Sequence, residues 1–367
     1  MLKITESGAK YSQISIIGEQ VKQLERESGL EYLYLNQGVN AVVPIILDEV
    51  IEMIDFNSKT IQNYAPMQGR PKLKLAINKE YFKGSSNIDH ILIDNGGMSG
   101  LDIVFQSIDI DKVMLPSFFW GSYANILNIR KTDFGFYDNF DDLTENMDHF
   151  VGSAVLICDP NNPLGNKFND KDLIKLIHQL DEKGVVVIVD SPYRGVFYSK
   201  DNFYAQIGQL KHVIIVESFS KSIGLSGQRI GFIHSSDREL MKQMRIRLMY
   251  ASNGVNAFAQ ELVELLLTTP AGLKAVSDFK DKTRNDILLN INYLREKGFL
   301  SEEFYQNSHP KGIFVVVKRS AEDLLSHRIA SVSLSFFTRK FKTEAANHAR
   351  ICVSVPHEQL KRFFDEV

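Results

Sequence analysis

The stretch HVIIVESFSKSIGLSGQRIG, residues 212–231, joins an apolar run to a lysine surrounded by serines and glycines. The apolar residues 213–216 are typical of a buried strand. Lys221 would leave the end of this strand in a polar segment that also contains the permanent cation Arg229. Partial burial and a nearby cation both disfavour the ammonium form, lower its pKa and free the neutral amine to attack an aldehyde. The alternative at this point is a solvated surface lysine.

The groups around this lysine favour one aldehyde cofactor, pyridoxal 5′-phosphate (PLP). Lys221 would form a Schiff base with its aldehyde. The hydroxyl groups of Ser218 and Ser220 and the guanidinium of Arg229 would hold its phosphate. Three upstream segments supply the other groups that such a cofactor needs.

A carboxylate follows the run VVVIV, residues 185–189, which is typical of a strand in a parallel sheet. Asp190 is therefore expected at the carboxyl end of a strand. A carboxylate there can pair with the protonated pyridine nitrogen of PLP, and Tyr193, three residues on, can reach the ring oxygen. The alternative is a cap or turn aspartate before Pro192.

An asparagine follows a second strand pattern in the segment VLICDPNNPLG, residues 155–165. The amide of Asn162 can donate to the ring oxygen of the cofactor. Asn161 and Asn162 can also be ordinary turn residues, and that interpretation stays open on the residues alone.

A phosphate site is predicted in the segment ILIDNGGMSGL, residues 91–101, which combines a strand, a glycine turn and the start of a helix. Exposed amides at a helix N-terminus bind phosphate, and Gly96 and Gly97 permit close backbone approach. Met98 is included in this predicted contact. The spacing matches neither a Walker loop nor GxGxxG.

These motifs in this order resemble those of the class I/II aminotransferases, which are PLP-dependent enzymes of fold type I, and the resemblance runs from about Gly38 to the C-terminus. The lysine signature is matched by Ser218, Ser220, Lys221, Gly227, Arg229 and Gly231, the Asn-Pro-x-Gly motif by residues 162–165, and the Asp-x-x-Tyr motif by Asp190 and Tyr193.

The resemblance implies an α/β fold: a large central, mostly parallel sheet with helices on both faces, plus a smaller α+β C-terminal domain. The expected boundaries are 1–38 for an N-terminal segment that joins the small domain, 39–250 for the large PLP-binding domain and 251–367 for the small domain.

The same resemblance implies roles for residues outside the three motifs. Trp120 stands where the family stacks an aromatic ring on the cofactor, with Phe119 as the alternative. Tyr64 matches the tyrosine that reaches the neighbouring subunit's phosphate in these homodimers. Arg350 matches the arginine that binds the substrate carboxylate, and a guanidinium suits that role because it makes two parallel hydrogen bonds. The substrate is also expected to contact Gly38 and Asn162.

The implied activity is transfer of an amino group between an α-amino acid and a 2-oxo acid, with Lys221, Asp190 and Tyr193 as catalytic residues. Two alternatives remain: another PLP reaction, such as oxidation, decarboxylation or elimination, and a non-catalytic sensor of this fold. Leu164 replaces the threonine usual before the glycine, and no second arginine for a dicarboxylic substrate can be assigned. The short chain and the Pro-Asn-Asn-Pro turn resemble the histidinol-phosphate aminotransferase branch.

Composition agrees with a large enzyme. The chain has 367 residues, of which 44% are hydrophobic, and two domains are expected because single cores stop growing at about 250–300 residues. A formal charge of −3 gives no case for nucleic acid. We interpret a cluster of basic residues as the solvent-exposed face of a helix. The cluster consists of Arg70, Lys72, Lys74, Lys79 and Lys83.

The cysteines and the remaining patterns favour a cytoplasmic location. Cys158 and Cys352 are far apart in predicted strands, which indicates buried thiols in a reducing compartment. The histidines show no metal-ligand spacing, so no metal is expected. Neither a membrane-spanning apolar run nor a signal-peptide core at residues 1–6 is found.

Capping residues predict several helices after the central strands. Asn169 and Asp170 can cap a helix over 171–182, and residues 235–237 can open one from Arg238 to about Tyr250. Further helices are predicted around 258–267 and 273–297, divided by Pro270 and ended by Gly298. Strands are predicted at 312–317 and 350–355.

Overall fold

A seven-stranded sheet forms the centre of the computed structural model, which describes residues 2–197 and 202–367. The strand bounds in the described residues are β1 (Leu33–Tyr34), β2 (Ile91–Asp94), β3 (Val113–Pro116), β4 (Phe134–Tyr137), β5 (Ala154–Ile157), β6 (Asn166–Lys167), β7 (Val186–Asp190), β8 (Val213–Ser218), β9 (Gly231–Ser235), β10 (His309–Pro310), β11 (Phe314–Val317), β12 (Ile329–Ala330), β13 (Val332–Ser333) and β14 (Ala349–Cys352).

The order of the central sheet is β2-β9-β8-β7-β5-β3-β4. Strands β3, β4, β5, β7 and β8 are parallel to their neighbours in this group, whereas β9 is antiparallel to both β8 and β2. Because two reversals cancel, β2 runs in the same direction as β8. The carboxyl ends of β2, β3, β5, β7 and β8 therefore meet at one edge of the sheet.

Both faces of the sheet are buried. Successive side chains of a strand point to opposite faces, so each strand contributes to two hydrophobic layers. Leu156 and Ile188 pack in one hydrophobic layer, and their chain neighbours Val155 and Val187 pack in the other. The continuous apolar runs of the sequence are thus explained by helices on both sides. This is the arrangement expected for the large domain.

The α-helices of the described residues are α1 (Gln13–Ser28), α2 (Asp48–Ile51), α3 (Lys59–Gln62), α4 (Pro71–Phe82), α5 (Gly97–Ser107), α6 (Gly121–Arg130), α7 (Phe140–Glu145), α8 (Asp170–Glu182), α9 (Arg194–Phe197), α10 (Phe203–Ile207), α11 (Phe219–Ser222), α12 (Arg238–Ser252), α13 (Ala257–Thr268), α14 (Pro270–Glu296), α15 (Ala321–Ser326), α16 (Lys342–Ala345) and α17 (His357–Phe364).

The predicted helix starts are confirmed where a side chain caps them. Asn169 accepts a hydrogen bond from the backbone N–H of Lys171 at the start of α8, and Asp237 caps α12 in the same way. The predicted start of α14 at residue 273 is wrong. Pro270 is the first residue of this helix, because proline has no N–H to lose in the first turn, and Thr269 caps it.

The C-terminal part is built on an antiparallel sheet of order β11-β14-β13. Strand β1 pairs in parallel with β12, so the N-terminal segment is joined to the C-terminal part by backbone hydrogen bonds. Strand β10 pairs with β6, which follows the turn after β5. The three-part domain division of the sequence stays a prediction.

Helix α4 differs from its sequence interpretation at two positions. Arg70 precedes the helix, and its side chain is only 13% exposed and is paired with Glu261 and Glu264. Lys74 is 2% exposed, so the prediction that it lies on the solvent-exposed face of this helix is wrong. Helix α4 contacts α10, α13 and β2, so it is covered on more than one side. Burial lowers the pKa of Lys74, and the carboxylate of Asp89 opposes this.

The turn after β5 touches the backbone of the small sheet at Gly165. This residue has φ +69°, and a Cβ atom there would lie 1.7 Å from the carbonyl oxygen of Phe314. The carbonyl oxygen of Gly165 also accepts hydrogen bonds from the N–H groups of Lys311 and Gly312 at 3.0 Å and 2.8 Å. Only glycine fits both the conformation and the approach.

We predict that Gly165→Ala lowers the free energy of unfolding by about 2–5 kcal/mol, as the sum of left-handed strain and overpacking. Gly184→Ala is the matched control, because Gly184 has φ +74° and nothing within 4 Å of the added Cβ. The control should cost only about 1–2 kcal/mol. Urea unfolding of both variants measures the difference, and equal losses would contradict the close approach.

Candidate active site

A cavity of about 380 Å³ lies where the strand ends meet. Its walls come from the segments that follow β2, β3, β5, β7 and β8, together with the N-terminal segment and residues of β11 and β14. The predicted site residues that line it are Gly38, Gly97, Met98, Trp120, Asn162, Asp190, Tyr193, Ser218, Ser220, Lys221, Arg229 and Arg350.

Lys221 lies in the single helical turn α11, directly after β8. The side chain of Ser218 caps this turn by accepting a hydrogen bond from the N–H of Ser220. Burial lowers the pKa of Lys221, the nearby Cys352 opposes this, and the charge of Arg229 lowers the pKa further. The amine is thus nearer to its neutral, nucleophilic form than an exposed lysine would be.

Asp190 ends β7 at the floor of the cavity and is buried. Its Oδ2 accepts a hydrogen bond from the hydroxyl of Tyr123 at 2.5 Å. Burial raises the pKa of Asp190 to about 7, and the Tyr123 hydroxyl acts in the opposite direction. A cation beside this carboxyl group would favour its ionised form.

Asn162 connects two walls of the cavity. Its Nδ2 donates to the hydroxyl of Tyr193 at 3.2 Å, and its Oδ1 accepts from Nη1 of Arg350 at 3.2 Å. Burial raises the pKa of Tyr193 well above its usual value. The phenol is therefore a hydrogen-bond donor at neutral pH.

Arg350 is fully buried in β14, and its guanidinium lies between two rings. Its centre is 4.2 Å from the ring centroid of Phe314 and 4.7 Å from that of Phe337. Nη2 donates to the carbonyl oxygen of Asn36. Nε has no hydrogen-bond partner among the described residues, and burial lowers the pKa of Arg350 to about 10. A buried guanidinium without an anion lacks its usual partner.

An anion cradle lies at the other end of the cavity. Gly97 is the first residue of the eleven-residue helix α5, so its N–H has no partner within the helix. Nη1 of Arg229 donates to Oγ of Ser220 at 3.3 Å, and Oγ of Ser218 donates to the same oxygen at 2.9 Å. We call Gly97, Ser218, Ser220 and Arg229 the cradle.

Three predicted residues lie outside the cavity wall. Gly96 precedes α5, where an added Cβ would lie 3.1 Å from Nη2 of Arg229. Phe119 is 4% exposed and packs against Phe136, whereas Trp120 faces the cavity. Tyr64 is 87% exposed. Its predicted role requires a second subunit and stays a prediction.

Two residues that contact predicted site residues, Tyr123 and Phe314, were not predicted from the sequence. Tyr123 follows Trp120 by three residues in α6, so the helical spacing indicates that both can face one direction. Phe314 faces Arg350 because β11 pairs with β14. Only the pairing of the strands shows this contact, and nothing local predicts it.

The described residues include neither a metal-binding cluster nor a membrane-spanning helix. No group of three or more His, Cys, Asp or Glu side chains could hold a metal ion. None of the helices described is long and apolar enough to cross a membrane.

The model of the family "aminotransferase class I and II" matches residues 31–367 of this chain. The histidinol-phosphate aminotransferase of Buchnera aphidicola subsp. Cinara cedri is 26% identical over 328 residues, which cover 84% of this chain and 86% of that protein. The enzyme of the same name from Pyrococcus furiosus is 23% identical, over 96% of this chain and 99% of that one. A probable aspartate/prephenate aminotransferase of Aquifex aeolicus is 27% identical over 60% of this chain and 59% of its own length.

Solved structures agree on the fold. An aspartate aminotransferase from Thermus thermophilus with maleate superposes with a TM-score of 0.83 over 100% of this chain and 98% of that one, at 19% identity. The fold class and the family resemblance inferred from the motifs are confirmed. The chain belongs to the class I and II aminotransferases, which are in general PLP-dependent enzymes that act on amino acids and oxo acids.

Proposed function

We propose that this chain binds PLP through Lys221 and transfers an amino group between an α-amino acid and a 2-oxo acid. The observation that carries the proposal is one cavity that unites an amine, a carboxylate, an anion cradle and a buried arginine. Each of these groups matches one part of the cofactor or of an amino acid.

The residues fit PLP by their donors and charges. The free N–H of Gly97, the hydroxyl groups of the cradle and the cation Arg229 suit a phosphate. Asp190 would pair with the pyridine nitrogen and keep a proton there, while Tyr123 holds its second carboxylate oxygen. Asn162 and Tyr193 would donate to the ring oxygen. Trp120, on the wall, would cover the ring.

Bound PLP supplies an aldehyde carbon and an electron-withdrawing ring. Lys221 Nζ would give the covalent attachment until the substrate amine displaces it. The freed amine would then take the proton from the substrate Cα and deliver it to the cofactor carbon. The lowered pKa of Lys221, caused chiefly by burial, suits this because a base must be neutral to accept a proton. The walls from Phe314 and Trp120 would exclude water from these transfers.

Arg350 would bind the substrate carboxylate. Its Nη1 is positioned by Asn162, and its guanidinium plane packs against the rings of Phe314 and Phe337. The orientation of Arg350 is therefore fixed before the substrate arrives. Its Nε, which has no hydrogen-bond partner among the described residues, is a further donor. Gly38 lines the same cavity. An added Cβ there would lie 2.4 Å from the ring of Phe314, so a larger residue would displace the ring that packs on Arg350.

The protein is proposed to act as a homodimer in the cytoplasm. Tyr64 and several apolar residues of its segment are exposed: Ile46, Met53, Phe56 and Met67. A partner that covered them would bury apolar surface and could receive Tyr64 at its phosphate site. The buried free thiols of Cys158 and Cys352 suit a reducing compartment.

We predict that purified protein loaded with PLP converts an amino acid to its oxo acid only in proportion to the acceptor oxo acid supplied. Lys221→Ala should abolish turnover, whereas the exposed Lys175→Ala should not. Substrate and product are counted by chromatography, with oxygen uptake, carbon dioxide and ammonia followed in parallel. Turnover without acceptor, with oxygen consumed or with ammonia or carbon dioxide released, would favour oxidation, elimination or decarboxylation instead.

We also predict that Arg350→Lys lowers kcat/KM for every amino acid and oxo acid used, because the bidentate carboxylate contact is common to them. Loss of such a charged hydrogen bond costs about 2–4 kcal/mol, roughly a thirty- to thousand-fold fall. Cofactor binding should be unchanged, which the absorbance of bound PLP monitors. Arg362→Lys, in an exposed pair with Glu31, is the control. Unchanged kinetics would remove Arg350 from the substrate site.

A further inference from the structure

A buried carboxylate lies beneath the cradle. Asp94 is the last residue of β2 and is fully buried. Its Oδ1 accepts a hydrogen bond from the N–H of Gly96 at 2.6 Å, directly before the helix that carries Gly97. Its Oδ2 has no hydrogen-bond partner among the described residues. A buried acceptor without a donor is costly, so the protonated form of the Asp94 carboxyl group is a second state of this site.

The space around this carboxylate is provided by two neighbouring elements. A Cβ atom at Gly100 of α5 would lie 2.4 Å from Oδ2 of Asp94, and one at Gly231 of β9 would lie 2.9 Å from Oδ1. Gly231 is also the partner of Asp94 in the strand register. A side chain at either position would collide with the carboxylate, so the fold leaves room for this group on both sides.

Few charges act on Asp94 from the elements packed around it. Burial raises the pKa of Asp94 to about 7, the Gly96 hydrogen bond and the charge of Arg229 oppose this, and Asp190 adds to it. On α5, Asp102 is paired with Arg130. The other titratable groups nearby bond to other partners. On β8, Glu217 accepts hydrogen bonds from the hydroxyl of Tyr204 and the N–H of Ser218, and burial raises its pKa to about 8. On α12, Arg245 donates to the backbone carbonyl oxygen of Asp89, and Lys74 of α4 also lies near Asp89.

We propose that Asp94 is a positioning residue that couples anion binding in the cradle to the uptake of one proton from solvent. The inference rests on the proposed function, because it assumes that the cradle holds a phosphate. When no anion occupies the cradle, the positive charge of Arg229 favours the ionised form of Asp94. A dianion held by Gly97, Ser220 and Arg229 offsets that cation and repels the carboxylate, so Asp94 takes a proton. Its unpartnered oxygen then becomes a hydrogen-bond donor.

The sign of the pH dependence follows from linkage. Since the anion raises the pKa of Asp94, binding takes up a proton wherever the empty form is ionised and the bound form is not. Above about pH 7 the affinity for a dianion should fall with rising pH, by up to about tenfold per unit. Asp94→Asn keeps the shape and the hydrogen bond to Gly96 but cannot titrate.

The test uses inorganic sulfate and PLP-free protein that carries Lys221→Met, so that the lysine ammonium does not contribute. Sulfate stays a dianion between about pH 6 and pH 9, so only protein groups titrate. Trp120 is the single tryptophan of the chain and faces the cavity, so its fluorescence reports binding. Calorimetry in buffers of different ionisation enthalpy counts the protons taken up. Asp102→Asn is the matched control on α5.

We expect uptake of about one proton near pH 8, retained in Asp102→Asn and reduced by more than about half in Asp94→Asn. Equal uptake in Asp94→Asn would assign the proton to Asp190 and overturn the inference. If Asp94→Asn does not fold, the count on the parent protein decides, because zero uptake contradicts the coupling. Sulfate binding without uptake leaves the proposed function intact, whereas absence of any sulfate binding removes the cradle and the inference together.

Discussion

The antiparallel strand β9 places the carboxyl ends of β2 and β8 at the same edge of the sheet, two strands apart. The cradle depends on this arrangement, because Gly97 follows β2 while Ser218 ends β8 and Ser220 follows it. Parallel strands β7 and β5 then bring Asp190 and Asn162 to the same edge. A sheet edge of this kind is where ligands bind in open α/β folds.

Burial disfavours charge throughout the site. It lowers the pKa of Lys221 and of Arg350 and raises the pKa of Asp190 and of Asp94. These shifts run in opposite directions for acids and bases but have one physical cause. A ligand that carries a phosphate, a protonated ring nitrogen and a carboxylate would supply the opposite charge to most of these groups. The electrostatics of the cavity are therefore suited to a ligand with several charges.

Much of the fold and site follows from local sequence. The strand before Lys221, the cap at Asn169 and the turn at Asn162 are predictable because each is encoded within about ten residues. Contacts between distant segments cannot be predicted from local sequence. The hydrogen bond from Tyr123 to Asp190 and the stacking of Phe314 on Arg350 need the packing of separate elements. Lys74 was misassigned for the same reason, because helical periodicity alone does not show that a helix is covered on more than one side.

Covalent attachment of the cofactor to Lys221 is the central claim, and reductive trapping tests it most directly. The protein loaded with PLP is treated with borohydride, digested and mapped by mass spectrometry. The account predicts a reduced pyridoxyl adduct on the peptide that contains Lys221, because burial lowers the pKa of this amine beside the cradle. An adduct on a different lysine, or PLP bound without any adduct, would contradict it.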